Sequence, residues 1–219
     1  MIDKIIRQVS SLPVQKTAPI RKIRKEYSKQ IKDFSSEEVL RLAHQLIARS
    51  QFVYRWIAYE LIANHDTALH SLGAKEIEKL GQGIDSWYSV DTFACILSGV
   101  AWREEQIPDS LIYRWAKSKD HWWRRAALVS TVPLNLRARG GQGDVKRTLS
   151  ICELLLGDRD DMVVKGFSWA LRQLVIWDAP AVKKFLSMHK NNLAPRVVRE
   201  VNNKLATDLK NPRPKNAKK

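Results

Sequence analysis

SSEEVLRLAHQLIARSQFVYRWIAYELIAN, residues 35–64, decides how the rest of the chain reads. It opens on a capping box: Ser35 is placed to accept a backbone N–H, and Glu38, three residues on, to return the bond. Behind it Val39, Leu42, Leu46 and Ile47 recur at i, i+3, i+7 and i+8, one face of a helix. A few residues later Phe52, Trp56, Tyr59 and Ile62 or Ala63 repeat the pattern. A connection this short predicts antiparallel neighbours.

The same signal recurs outward along the chain. Helices are predicted roughly over 74–82, 87–101, 109–118, 121–133, 144–156, 160–176, 179–189 and 195–209, and no segment alternates as a strand would. Pro108, Pro180 and Pro195 fall at or near predicted starts, where a missing N–H does no harm. Arg55, Ser89, Arg124 and Lys165 occupy similar early positions in their helices, 34, 35 and 41 residues apart. A period of about 35–45 residues with two helices per unit points to an all-α, HEAT-like helical repeat solenoid, an α-α superhelix with a concave face. One such domain is expected over 1–209, with a disordered basic tail over 210–219. The Gly-rich stretch 136–143 (LRARGGQG), which lies within the longest interval, reads as a mobile loop.

Composition narrows the function. With 44% apolar and 28% charged residues, the 219-residue chain is globular rather than disordered. No run approaches the ~18–20 apolar residues of a membrane span, and the N-terminus is too polar for a signal peptide, so a soluble cytoplasmic protein is expected. Cys95 and Cys152 sit in apolar helical contexts and read as buried hydrophobes. The net charge of +15 is uneven. Residues 1–33 carry nine Lys and Arg against three Asp and Glu, 117–147 eight against two, and 189–219 nine against two. Three basic blocks suit a polyanion held at several points, with the concave face basic. His44, His65, His70, His121 and His189 are scattered without metal-ligand spacing, and no phosphate-binding loop or nucleophilic triad is present, so no metal or cofactor is expected.

Eight tryptophans are the unusual feature. Trp56, Trp115 and Trp177 fit helix cores, whereas Trp87, Trp122, Trp123 and Trp169 lie on helices assigned to the concave face. Beside arginines they offer a stacking surface for nucleotides. Asp91 follows Trp87 by four residues, on the same helix face. An acid there repels phosphates unless it faces a positive charge.

These segments, in this order, resemble the DNA alkylation repair glycosylases built from HEAT-like repeats. TAPIRKIRKEY (17–27) is similar to the family's early Pro-x-x-Arg helix, DSWYSVD (85–91) to its central Trp/Asp motif and HWWRRAAL (121–128) to its Trp-x-x-Arg helix. KGFSWALRQL (165–174) resembles its second Trp motif, and LAPRVVREVNNKL (193–205) its final helix. Tyr88 stands where a more polar residue is expected, and 136–143 looks like an addition. The resemblance implies a monofunctional, metal-independent DNA glycosylase. It would excise purines alkylated at N3 or N7 from duplex DNA, without capturing the base in a pocket and without a lyase step. It implies Asp91, Trp87 and Trp169 as catalytic residues and Arg125, with Arg124, as a phosphate contact. Trp123, Lys165 and Arg172 complete the expected DNA-binding set, and a monomer is expected. A non-catalytic, structure-selective DNA-binding solenoid is the alternative, and a helical scaffold for protein or RNA a third reading.

Overall fold

The computed structural model describes residues 1–212, and every regular element among them is helical. The chain divides into two compact units, Met1–Ile107 and Pro108 onward. Each is organised round one helix with little exposed surface.

In the first unit the order is α1 (Ile2–Ser10), α2 (Thr17–Gln30), α3 (Ser36–Ile47), α4 (Phe52–Ala63), α5 (Asp66–His70) and α6 (Ala74–Gly81). Then come α7 (Trp87–Phe93), a π turn (Ala94–Ser98) and α8 (Gly99–Arg103). The capping box forms as the sequence predicts: Ser35 N–H donates to Glu38 Oε2 at 2.8 Å and Glu38 N–H to Ser35 Oγ at 3.3 Å. Helices α2, α3, α5 and α7 pack on α4, which is why Val53, Tyr54, Ile57, Ala58, Tyr59, Leu61 and Ile62 are all buried. The Tyr59 hydroxyl donates to the Leu80 carbonyl at 2.8 Å, and burial pushes this phenol up to about 12. Trp102, fully buried, is the largest core side chain.

The second unit runs α9 (Asp109–Ala116), α10 (His121–Ser130), α11 (Val132–Asn135), a 3-10 turn (Arg137–Arg139), α12 (Val145–Leu154), α13 (Asp161–Leu174), α14 (Ala179–His189) and α15 (Pro195–Thr207). Here α13 is the hub, packed by α10, α11, α12, α14 and α15. The four early-helix positions of the internal repeat fall on α4, α7, α10 and α13, every third α-helix. Within the first unit α4 packs on α7, and within the second α10 packs on α13. Both cysteines are free and buried, and burial pushes the Cys152 thiol up.

Several details depart from the sequence reading. Helices α1 and α5 were not expected; α5 is short and capped by His65, whose Nδ1 accepts from Ala68 N–H. The helix expected over 121–133 breaks at Thr131, because Pro133 lacks an N–H and fits only the first turn of a new helix. The Gly-rich stretch is tied down rather than loose: Gln142 and Gly143 N–H groups share the Leu134 carbonyl, and Arg137 lies over the Trp177 ring at 4.7 Å. Lys210, at the start of the expected tail, lies 3.6 Å from Glu200; the tail beyond Pro212 lies outside the described residues.

Candidate functional site

Helix α7 is set by the turn before it. Arg55 on α4 donates through Nη2 to the Gln82 carbonyl at 2.9 Å and through Nη1 to the Leu80 carbonyl at 3.2 Å. Gly83 completes the turn at φ +72, a conformation that L side chains adopt only with strain. The chain then enters α7 through Ser86. The buried Ser89 hydroxyl accepts from both Asp85 N–H (3.2 Å) and Ser86 N–H (3.1 Å). That fixes the first turn, where Trp87 is 54 % exposed. Asp91, one turn on, is half-buried on the same face. Three residues later the helix widens into the π turn, a feature that often accompanies functional sites. Trp87 and Asp91 thus lie one turn apart on α7.

In the second unit α10 starts at Asp120, whose carboxylate accepts from Trp122 N–H at 2.8 Å. Trp122 and Trp123 diverge as adjacent helical residues do. Trp122 meets the His121 ring, whereas Trp123 packs against the buried Trp115 at 4.8 Å. Arg124 is held by Asp158 at 2.6 Å and by the Ser118 and Lys119 carbonyls. Arg125 is only 5 % exposed, and its Nη1 donates to the Met162 carbonyl in the first turn of α13.

On α13, Lys165 pairs with Asp161 at 2.6 Å, and Arg196 of α15 reaches the same carboxylate at 2.5 Å. The Lys165 hydrogen bond, with the charges of Lys165 and Arg196, holds the Asp161 carboxyl below its ordinary value. Trp169 is half-buried. Arg172 donates to Ser168 Oγ at 3.1 Å, and Ser168 in turn to the buried Glu200 at 2.6 Å. Burial lowers the Arg172 pKa against the pull of Glu200. The expected DNA-contact residues Arg124, Arg125, Lys165 and Arg172 therefore each have protein partners as well.

Two acids escaped the sequence reading. Glu60 on α4 accepts from Arg21 Nε (3.2 Å), Arg24 Nε (2.9 Å) and Trp56 Nε1 (3.1 Å). Glu200 on α15 gathers Ser168, Arg196 and Lys210. The available signal was a lone acid on an otherwise apolar face, as in YELIA (59–63); buried carboxylates need such partners. Among the described residues no three His, Cys, Asp or Glu side chains gather as metal ligands would, and no helix is long and apolar enough to cross a membrane.

The model of one protein family, described as DNA alkylation repair enzyme, matches residues 12–205. No curated protein and no solved structure matches the chain.

Proposed function

Because the chain belongs to the DNA alkylation repair enzyme family, we propose that it is a monofunctional DNA glycosylase releasing cationic N3- or N7-alkylated purines from duplex DNA. The observation that carries this reading is the pairing of Trp87 and Asp91, one turn apart on a capped helix start, with the indole largely in solvent. A binder of phosphates has little use for an acid beside that ring. A glycosylase can use one.

The chemistry asks little else. An N3- or N7-alkylpurine is already cationic, so its glycosidic bond is weak. As the C1′–N bond breaks, its electron pair neutralises the departing base, which needs no strong general acid. Positive charge develops on the sugar, where the Asp91 carboxylate stabilises it and orients the water that attacks C1′. The proton released by that water passes to Asp91 or to solvent. The Trp87 face adds cation–π attraction for the same charge. Trp169 as a second aromatic wall, Arg125 with Arg124 as phosphate contacts, and Trp123, Lys165 and Arg172 as further DNA contacts enter this reading by resemblance. Neither a metal nor a Schiff-base lysine is called for, so no strand cleavage should accompany base release.

The test is release of free 7-methylguanine and 3-methyladenine from methylated duplex DNA, wild type beside Asp91→Asn. Release is expected from the wild type and should fall by orders of magnitude in the variant, with DNA binding retained. Equal release by both removes the role of Asp91. No release by either, with DNA still bound, makes the protein a non-catalytic DNA-binding one.

A further inference from the structure

Four aromatic side chains of the first unit form a row that the glycosylase reading leaves largely unused. Trp87 and Tyr88 meet edge to face at 5.6 Å, and Tyr88 meets Phe52 edge-on at 4.6 Å. Phe52 stacks on Trp56 at 6.3 Å with the rings 8° from parallel. The Arg21 guanidinium lies over Trp56 at 5.8 Å. Helix α7 supplies the first two rings, α4 the next two and α2 the cation. Trp87 and Tyr88, at 54 % and 41 %, are the only exposed Trp, Tyr or Phe side chains among the described residues.

The far end of the row is cationic and held in place. Glu60, 7 % exposed, binds Arg21 and Arg24 each through Nε. Their terminal nitrogens make no hydrogen bond to another described residue. A guanidinium held at Nε keeps its outer edge oriented for a second anion, which suits a phosphate. Charge follows the same geography. Helix α2 carries Arg21, Lys22, Arg24, Lys25 and Lys29 against Glu26 alone, whereas residues 34–107 carry more acids than bases.

We propose that the open end of this row is a binding strip for unpaired DNA, bases stacking on Trp87 and Tyr88 and a backbone phosphate seated on Arg21, whose side chain is half exposed. Bases in a duplex hide their faces in the stack and show only edges and phosphates. The two exposed rings therefore gain from a strand only where its bases are unpaired. The strip rests on the alkylation-repair reading only in taking DNA as the nucleic acid. It adds that the protein grips the unpaired nucleotides of a locally opened substrate beside the proposed site.

The test compares binding of a single-stranded deoxyoligonucleotide of about twelve nucleotides, the duplex of the same sequence and the corresponding ribo-oligonucleotide, by fluorescence anisotropy. Tyr88→Ala and Arg21→Gln should each weaken single-strand binding roughly 5- to 100-fold, and duplex binding less. Tyr88→Phe should bind as the wild type does, because stacking and not the hydroxyl is used. The thermal midpoint of each variant is measured beside binding, so that lost packing of Tyr88 on Phe52 is told apart from lost stacking. The strip is refuted if the wild type ignores the single strand, or if both variants bind it as tightly as the wild type does. Equal weakening on single strand and duplex, or tighter binding of the ribo-oligonucleotide, also refutes it. Methylpurine release is measured in parallel. Its absence, with single-strand binding still lost in the two variants, would sink the glycosylase reading and leave the strip standing.

Discussion

Arg125 shows how one residue can carry two readings that an experiment separates. Resemblance makes it a phosphate contact, yet it is nearly inaccessible and its guanidinium donates to the first turn of α13. Replacing it removes a charge-assisted hydrogen bond, worth about 1.5–3 kcal/mol, and empties the space that a nearly buried side chain fills. Arg125→Ala is accordingly expected to lower unfolding free energy by about 2 kcal/mol or more, read by denaturant titration. Weakened DNA binding at unchanged stability would give the phosphate role precedence. Ser35 is simpler. Its Oγ caps α3 while Glu38 returns the bond, so Ser35→Ala should cost about 1 kcal/mol by the same titration.

At the scale of elements, the glycines divide by what surrounds them. A methyl group on Gly166, in the middle of α13, would meet Arg125 Cγ at 3.5 Å and Val129 Cγ2 at 3.6 Å, ordinary contacts. Gly166→Ala should therefore raise stability by up to about 1 kcal/mol through helix propensity alone. On Gly141 the same methyl would sit 2.6 Å from the Pro133 carbonyl and the Leu136 nitrogen, both backbone atoms that cannot swing aside. Gly141→Ala should lower the thermal midpoint where Gly166→Ala raises it. The clamp between α13 and α15 depends on pH. Lys165 and Arg196 hold the Asp161 carboxyl below its ordinary value of 3.8, so its stabilisation is complete above that value and fades as pH falls through the lowered one. Melts of wild type and Asp161→Asn should thus differ at neutral pH and converge in strong acid. A difference that persists there would mean that the ion pairs are not its source.

For the molecule as a whole, charge is the property to test. Basic blocks in 1–33, 117–147 and 189–219 supply the whole positive excess. Phosphate neutralisation releases condensed counterions, so duplex affinity should fall linearly on a log–log plot against salt. With six or more phosphates engaged, the loss between 50 and 200 mM is roughly a thousandfold or greater. A flat salt response would favour the scaffold reading, in which the charge is incidental.

What the sequence determined by itself was local. The helices from α3 onward other than α5 and the separate α11, the Ser35–Glu38 box, the proline starts and the Trp87–Asp91 pair all depend on residues within a turn or two of each other, where periodicity and capping act. The order of the motifs was enough to place the chain in its family, because order is itself a property of sequence. The tertiary structure alone decided which charges are spent inside the protein. Glu60 finds Arg21 and Arg24 from 39 and 36 residues away, and Glu200 finds Ser168 across 32. Arg125 disappears beneath α13, and a glycine-rich stretch is fastened by Trp177 and the Leu134 carbonyl. A buried ion needs its partner close in space and not in sequence. No spacing rule reaches that far, so the same basic composition could not say which arginines remain turned toward a ligand.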